Sequence, residues 1–172
     1  MNKYLTPRNI FIVSSLLLAI IGRLIPHAPN FTPVAAMALF GGATLSNKRL
    51  AYILPIIAMF LSDLIIGFHS TMWAVYLAFV ATVFIGTKIN GNIKPLNVVT
   101  ASIASSSLFF IVTNFAVWLG STLYPQNVTG LIECYIAAIP FFYNGLIGDL
   151  FYSGILFIVF ALAAQRFPQL AK

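Results

Sequence analysis

The sequence predicts an all-α integral membrane protein, a bundle of six transmembrane helices with both termini in the cytoplasm. Three observations lead to this prediction. Apolar residues make up 60% of the 172-residue chain and charged residues only 7%, whereas a soluble domain is about 25% charged. The apolar residues form long runs, and the basic residues cluster at every second connection between runs. The composition excludes a soluble enzyme, a disulfide-rich secreted module and a disordered chain.

The apolar runs follow one another along a single domain that occupies residues 1–172. A membrane-crossing helix needs roughly 20 mostly apolar residues. The first five helices are predicted over residues 10–25, 31–45, 50–68, 72–89 and 98–119. The last tract, 131–164, is too long for one span and contains Pro140. We interpret 131–139 as a short surface or re-entrant segment and 140–164 as the sixth helix, because proline fits the first turn of a helix.

The basic residues predict the orientation of this bundle. Six spans place eight of the nine on one side: Lys3, Arg8, Lys48, Arg49, Lys88, Lys94, Arg166 and Lys172. Only Arg23 falls on the other side. Because cytoplasmic loops are enriched in Lys and Arg, we expect a multi-pass protein of the inner membrane with both termini inside. A cleaved signal peptide is the alternative for the first run, but no small-x-small cleavage site follows it.

Several classes of chemistry lack their sequence signals. The net charge of +6 comes from scattered residues, without the basic patch that nucleic-acid binding needs. The single cysteine, Cys134, excludes an internal disulfide and a multi-cysteine metal site. No GxSxG, GxxxxGK[ST], GxGxxG or HExxH motif occurs. We therefore expect no nucleic-acid partner, no cofactor and no metal.

The acidic and other non-basic polar residues predict a binding site in the outer half of the bundle. The candidate ligand-binding residues are Arg23, His27, Asn30, Asp63, His69, Asn114, Trp118, Asn144 and Asp149. An ionisable group inside the hydrocarbon zone costs roughly 2.5 to 3.5 kcal/mol and usually marks a pathway or a binding site. The alternative is that Asp63 and Asp149 are interhelical partners, with Arg23 as the nearby cation.

Helical spacing arranges some of these residues on shared faces. Ser107, Phe110 or Ile111, Asn114 and Trp118 follow the i, i+3 or i+4 rule on the fifth helix. Gly145, Asp149 and Tyr152 share a face of the sixth helix. The proline-rich connection 26–33 is the candidate lid. Trp118 could instead belong to an interfacial aromatic belt.

Small residues on the first two helices predict close helix contacts. Ser15 and Ala19 are four residues apart on the first helix, and Ala38 and Gly42 are four apart on the second. Small side chains let helices approach closely within lipid. The stripes are either a docking surface for another membrane subunit or the packing surface of the bundle itself.

Motifs along most of the chain resemble a family. Arg23-Leu-Ile-Pro-His-Ala-Pro-Asn-Phe-Thr-Pro33, Ser62-Asp63-Leu64, Asn114-Phe-Ala-Val-Trp-Leu119 and the run 134–142 resemble a group of small bacterial proteins described as candidate membrane transport proteins. More distantly, the size, the helix number and the proline-rich first junction are similar to the substrate-binding S components of energy-coupling factor transporters.

The resemblance to S components implies capture of a vitamin or metal ion near the outer face, and docking on a transmembrane coupling subunit driven by ATPases. In that family an Ala-x-x-x-Ala face on the first helix contacts the coupling subunit, where this chain has Ser15 and Ala19. Nickel and cobalt members begin Met-His, whereas this chain has Asn2.

The sequence therefore predicts a transport protein, not an enzyme, that binds a small, vitamin-like organic nutrient in an outward-facing pocket. Its expected partners are this substrate, the lipid bilayer and, by resemblance, a coupling subunit with ATPases. Three alternatives stay open. The chain could be a stand-alone proton-coupled carrier, a membrane enzyme with Asp63, His69 and Asp149 as acid and base groups, or a structural membrane protein.

Overall fold

The computed structural model describes residues 7–167, with side chains from Ile10 onward. This part of the chain forms six α-helices and no strand: α1 Pro7–Leu24, α2 Val34–Thr44, α3 Lys48–Ile66, α4 Met72–Lys88, α5 Pro95–Gly120 and α6 Val128–Arg166. The all-α class and the number of helices are confirmed. The predicted bounds of the first five agree with the structure to within three residues. Lys3, Lys172 and the side chain of Arg8 lie outside the described residues.

The prediction for the last apolar tract was wrong. Residues 131–139 are no separate segment, because α6 is one continuous helix of 39 residues with Pro140 inside it. The helix begins earlier, where the side chain of Asn127 accepts a hydrogen bond from the backbone nitrogen of Gly130 at 2.9 Å. Asparagine is among the preferred N-cap residues.

Helix α5 holds α6 together across Pro140. The ring of Phe110 packs against Tyr135 before the proline and against Phe142 after it, at centroid distances of 5.4 and 4.9 Å. The hydroxyl of Tyr135 donates to the carbonyl of Ile111 at 2.7 Å. A proline inside a helix removes one backbone hydrogen bond. Packing against a neighbouring helix on both sides of the proline keeps the helix continuous.

Three helices, α3, α5 and α6, are long and apolar enough to cross a membrane, and the other three are shorter apolar helices. At 1.5 Å per residue, α6 is about 58 Å long and α2 about 16 Å, against a bilayer hydrocarbon core of about 30 Å. Large apolar side chains are exposed on the outer faces of the long helices, among them Ile65, Ile111 and Ile158. These features indicate a membrane protein.

Helix α2 is the centre of the bundle. It contacts every other helix, and nine of its 11 residues are buried. Its C-terminal carbonyl groups are hydrogen-bonded by side chains from flanking segments. The ammonium group of Lys48 donates to Gly42 at 3.0 Å, and the amide of Asn90 donates to Ala43 at 2.8 Å. A cation at this end also complements the helix dipole.

Two glycines set the crossing of α2 and α4. A Cβ atom on Gly42 would overlap the carbonyl oxygen of Val83, and one on Gly86 would overlap the carbonyl oxygen of Leu39. The two backbones are therefore in direct contact. The four residues predicted to dock a partner, Ser15, Ala19, Ala38 and Gly42, are all buried within the chain. Their small side chains pack helices of this bundle and do not form an outer surface.

Candidate functional site

A cavity of about 740 Å³ lies at the end of the bundle where α2 begins. It is bounded by the C-terminal ends of α1 and α3, the start of α4, the middle of α5 and α6, and the connection between α1 and α2. Small-molecule sites typically have volumes of about 300 to 1,000 Å³. The described basic residues at the ends of α3, α4, α5 and α6, such as Lys88 and Arg166, stand at the opposite ends of those helices.

The short central helix leaves room for this cavity. Helix α2 starts at Val34, so residues 25–33 are a folded connection above it. This connection is held by backbone hydrogen bonds from Phe31 to Ala28 and from Thr32 to Asn30, each 3.0 Å long. Asn30 has a φ of 65°, a left-handed conformation that asparagine adopts more readily than most residues.

The connection rests on α6. The ring of Phe31 packs against Tyr152 at a centroid distance of 5.4 Å. A Cβ atom on Gly148 would lie 3.1 Å from the Cα atom of Phe31, and one on Gly145 would lie 3.5 Å from the Cβ atom of Asn30. The two glycines let the candidate lid lie directly on the helix that carries Asp149.

An ion pair between α1 and α3, together with a hydrogen bond from α4, joins three helices beside the cavity. Nη1 of Arg23, on α1, lies 2.8 Å from Oδ1 of Asp63, on α3, and donates to the hydroxyl of Ser62 at 2.7 Å. The hydroxyl of Tyr76, on α4, donates to Oδ2 of Asp63 at 2.9 Å. Asp63 is only 1% exposed and lies behind Arg23, which lines the cavity. The two charges neutralise each other.

Asp149 has a different environment. It lines the cavity and is 7% exposed. The hydroxyl of Ser106, on α5, donates to its Oδ2 at 2.6 Å. Its Oδ1 takes no hydrogen bond, and the carboxyl group has no cationic partner, among the residues that the structure describes. Asp149 therefore presents an unpaired carboxyl group to the cavity.

The rest of the wall is largely aromatic, with a few polar groups. Five phenylalanines line it: Phe79, Phe109, Phe110, Phe141 and Phe142. Among the polar residues, Asn114 donates through its amide nitrogen to the Phe110 carbonyl at 2.8 Å. His27 and His69 are exposed at the rim, with Nδ1 atoms 2.9 Å from the Ala28 carbonyl and 3.0 Å from the Thr71 hydroxyl. An apolar wall with a few placed polar groups is the usual pattern of small-molecule sites.

The cavity brings six of the nine predicted ligand-binding residues together: Arg23, His27, Asn30, His69, Asn114 and Asp149. Asp63, Trp118 and Asn144 do not line it. Asp63 is engaged by Arg23 and Tyr76. Trp118 holds the connection after α5, since its ring nitrogen donates to the Pro125 carbonyl at 3.0 Å.

Sequence reasoning missed several wall residues. On α5 the lining residues include Ser106, Phe109, Thr113 and Val117, whereas Ser107 and Trp118 were predicted. The predicted face of α5 was therefore displaced by about one residue from the face that lines the cavity. Ser105, Ser106 and Ser107 are consecutive, and helical spacing alone does not select one of them. Phe79 carries no signal in the sequence that separates it from an ordinary core residue.

Metal ligands are not clustered in the described part of the chain. No group of three or more His, Cys, Asp or Glu side chains there could hold a metal ion. Cys134 is buried, with its sulfur 3.5 Å from the carbonyl oxygen of Asn114, and it does not line the cavity.

Comparison with known proteins identifies a family for this chain. No curated protein and no solved structure matches the chain. The chain belongs to the Family of unknown function (DUF6580), which it matches over residues 3–170.

Proposed function

We propose that this protein is a membrane transport protein that binds a small, vitamin-like organic nutrient in the cavity above α2. The observation that carries the proposal is a cavity of about 740 Å³ with an aromatic wall and a buried, unpaired carboxyl group. A protein whose polar residues only hold its helices together would need no such space. Arg23 and Asp63 pair with each other, whereas Asp149 has no cationic partner within residues 10–167.

We further propose that all six helices lie in the inner membrane, with both termini in the cytoplasm and the cavity open to the outside. The distribution of basic residues supports this orientation, because Lys48, Lys88, Lys94 and Arg166 stand at the helix ends away from the cavity. The short helix α2 is enclosed by the others and is not required to span the bilayer by itself.

The energy source distinguishes two versions of this proposal. In the first, the chain binds the nutrient and a transmembrane coupling subunit with ATPases drives transport. In the second, the chain is a stand-alone proton-coupled carrier. Uptake that persists in cells lacking any coupling subunit, and that collapses when the proton gradient is removed, would favour the second version.

Native mass spectrometry of the freshly purified full chain tests the binding function. We expect a retained small molecule on the wild-type protein. The Thr113→Trp variant should lose it, because the indole would occupy the cavity that Thr113 lines. Ile111→Trp is the matched control, since Ile111 lies two residues away on the same helix and is 57% exposed. Absence of any retained or added ligand, or equal occupancy in both variants, would contradict the proposal.

A further inference from the structure

Of the Lys, Arg, Asp and Glu side chains in the described wall of the cavity, Asp149 alone has no oppositely charged partner. Among the described residues, Arg23 is the one Lys or Arg in the wall, and it is already paired with Asp63 at 2.8 Å. In the same described part of the chain, Asp149 is the one acidic residue in the wall. A buried carboxylate without a counter-charge is costly, and a cation beside it offsets part of that cost. With Asp149 ionised, the net charge offered to a ligand is negative.

The polar side chains that α5 contributes to the cavity wall, Ser106, Thr113 and Asn114, also offer acceptors to a ligand. The hydroxyl of Ser106 donates to Oδ2 of Asp149, so Oδ1 of Asp149 is free to accept a hydrogen bond from a ligand. Asn114 uses one of its two amide hydrogens on the Phe110 carbonyl, and Thr113 donates its hydroxyl proton to the Phe109 carbonyl at 2.8 Å. The oxygen atoms of these side chains can still accept. An ammonium group, which is a donor only, matches such a set.

The aromatic wall suits a cation as well as an apolar body. Phe79 packs on Phe109 at 5.4 Å and Phe110 packs on Phe142 at 4.9 Å between centroids, so rings line the cavity from α4, α5 and α6. The faces of aromatic rings carry partial negative charge and attract cations within about 6 Å. The same rings can bury the apolar part of a ligand.

We propose that the ligand is a small organic cation, a protonated amine with an aromatic or apolar body, whose ammonium group pairs with Asp149. This inference rests on the proposed binding function and names its substrate class. An anionic ligand is the competing class, because Arg23 and the N-terminal end of α2 both attract negative charge. It is disfavoured because the charge of Arg23 is already balanced by Asp63, whose Oδ1 lies 2.8 Å away.

Ligand binding by the purified full chain in detergent tests the substrate class. The probes are a panel of small aromatic amines, alcohols and carboxylic acids, with tryptamine, tryptophol and indole-3-acetate as one set that shares the indole body. Kd is measured by calorimetry or thermal shift. We expect the amines to bind at least tenfold more tightly than their matched alcohols and acids.

Two variants assign that preference to Asp149. Asp149→Asn should weaken binding of the amines at least tenfold and leave the alcohols within a factor of about three. Glu133→Gln makes the same chemical change at an exposed position of the same helix, and it should alter neither class. If Asp149→Asn does not fold, the ranking of the matched amines, alcohols and acids on the wild-type protein decides.

The outcomes separate this inference from the proposed function. Amine-selective binding that depends on Asp149 supports both. Tighter binding of alcohols or acids, or amine binding unchanged in Asp149→Asn, overturns the assignment of a cationic ligand. The proposed binding function would still stand in that case. If no probe of any charge class binds and native mass spectrometry finds no retained ligand, the proposed function fails, and the substrate class fails with it.

Discussion

At the scale of single residues, two buried aspartates have opposite roles because of what lies next to them. Asp63 is held by Arg23 and by the hydroxyl of Tyr76, so it joins α1, α3 and α4. Asp149 has one hydroxyl partner, Ser106, and faces the cavity. The same side chain therefore joins helices at one position and faces a cavity at the other.

Removing the carboxylate of Asp63 should destabilise the protein. The Asp63→Asn variant would leave the guanidinium of Arg23 without its counter-charge, and breaking a buried pair in this way costs about 3 to 5 kcal/mol. Because the Arg23 side chain is 16% exposed, we expect the lower end of that range. Unfolding in sodium dodecyl sulfate, followed by circular dichroism, measures the loss. Glu133→Gln is the control, and equal stability of the two variants would contradict this role of Asp63.

At the scale of helices, glycine contacts position the central element and the lid. Gly42 and Gly86 let the backbones of α2 and α4 touch, and Gly148 lets the connection 25–33 lie on α6. Without a hydrophobic drive for association inside lipid, such close contacts supply much of the packing energy between helices. These glycines are therefore sensitive positions even though they carry no functional group.

A methyl group at Gly42 should disrupt the crossing of α2 and α4. The added carbon would overlap the Val83 carbonyl oxygen, and overpacking of this kind costs about 1 to 3 kcal/mol. Gly41→Ala is a matched control in the same helix, because its added carbon would have no neighbour nearer than 3.7 Å. Comparing the unfolding midpoints of the two variants tests the prediction. A Gly42→Ala protein as stable as Gly41→Ala would show that the crossing can relax.

A methyl group at Gly148 should loosen the candidate lid. Its carbon would lie 3.1 Å from the backbone of Phe31, so the connection has to move away from α6. We expect faster amide hydrogen exchange over residues 26–33 in Gly148→Ala than in wild type. Gly154→Ala, on the same helix, adds its carbon to open space and should leave exchange in that segment unchanged. Equal exchange in both variants would mean that α6 does not hold the lid.

At the scale of the whole molecule, the bundle has two dissimilar ends. The cavity, Arg23 and both histidines lie at one end, and the other described lysines and arginines lie at the opposite ends of α3, α4, α5 and α6. Cytoplasmic segments of membrane proteins are enriched in basic residues. The asymmetry therefore predicts that the basic end faces the cytoplasm and the cavity faces outward, and this orientation can be tested directly.

Single cysteines should report that orientation. On a Cys134→Ala background, Thr122→Cys lies in the exposed connection between α5 and α6, and Asn92→Cys lies in the exposed connection between α4 and α5. We expect a membrane-impermeant maleimide to label the position 122 variant in intact cells. The position 92 variant should react only after permeabilisation. The reverse pattern would place the cavity on the cytoplasmic side.

Much of the architecture could be predicted from the sequence because it depends on neighbours along the chain. Hydropathy located five helices to within three residues, and the grouping of polar residues anticipated that Arg23, Asn114 and Asp149 would belong to one end of the bundle, where they line the same cavity. The predicted helix break at Pro140 was wrong. Proline lowers local helix stability, which suggested a break, but α5 packs against α6 on both sides of the proline. That packing is not visible in the local sequence.

The sequence by itself determined the helical class, the order of the helices and the half of the molecule that carries the acidic residues. Only the tertiary structure decided that Arg23 pairs with Asp63 and leaves Asp149 facing a cavity. It also decided that the small residues of α2 pack inside the bundle. The physical reason is that hydropathy and helical period act over a few residues, whereas an ion pair or a cavity depends on distances between helices far apart in the chain.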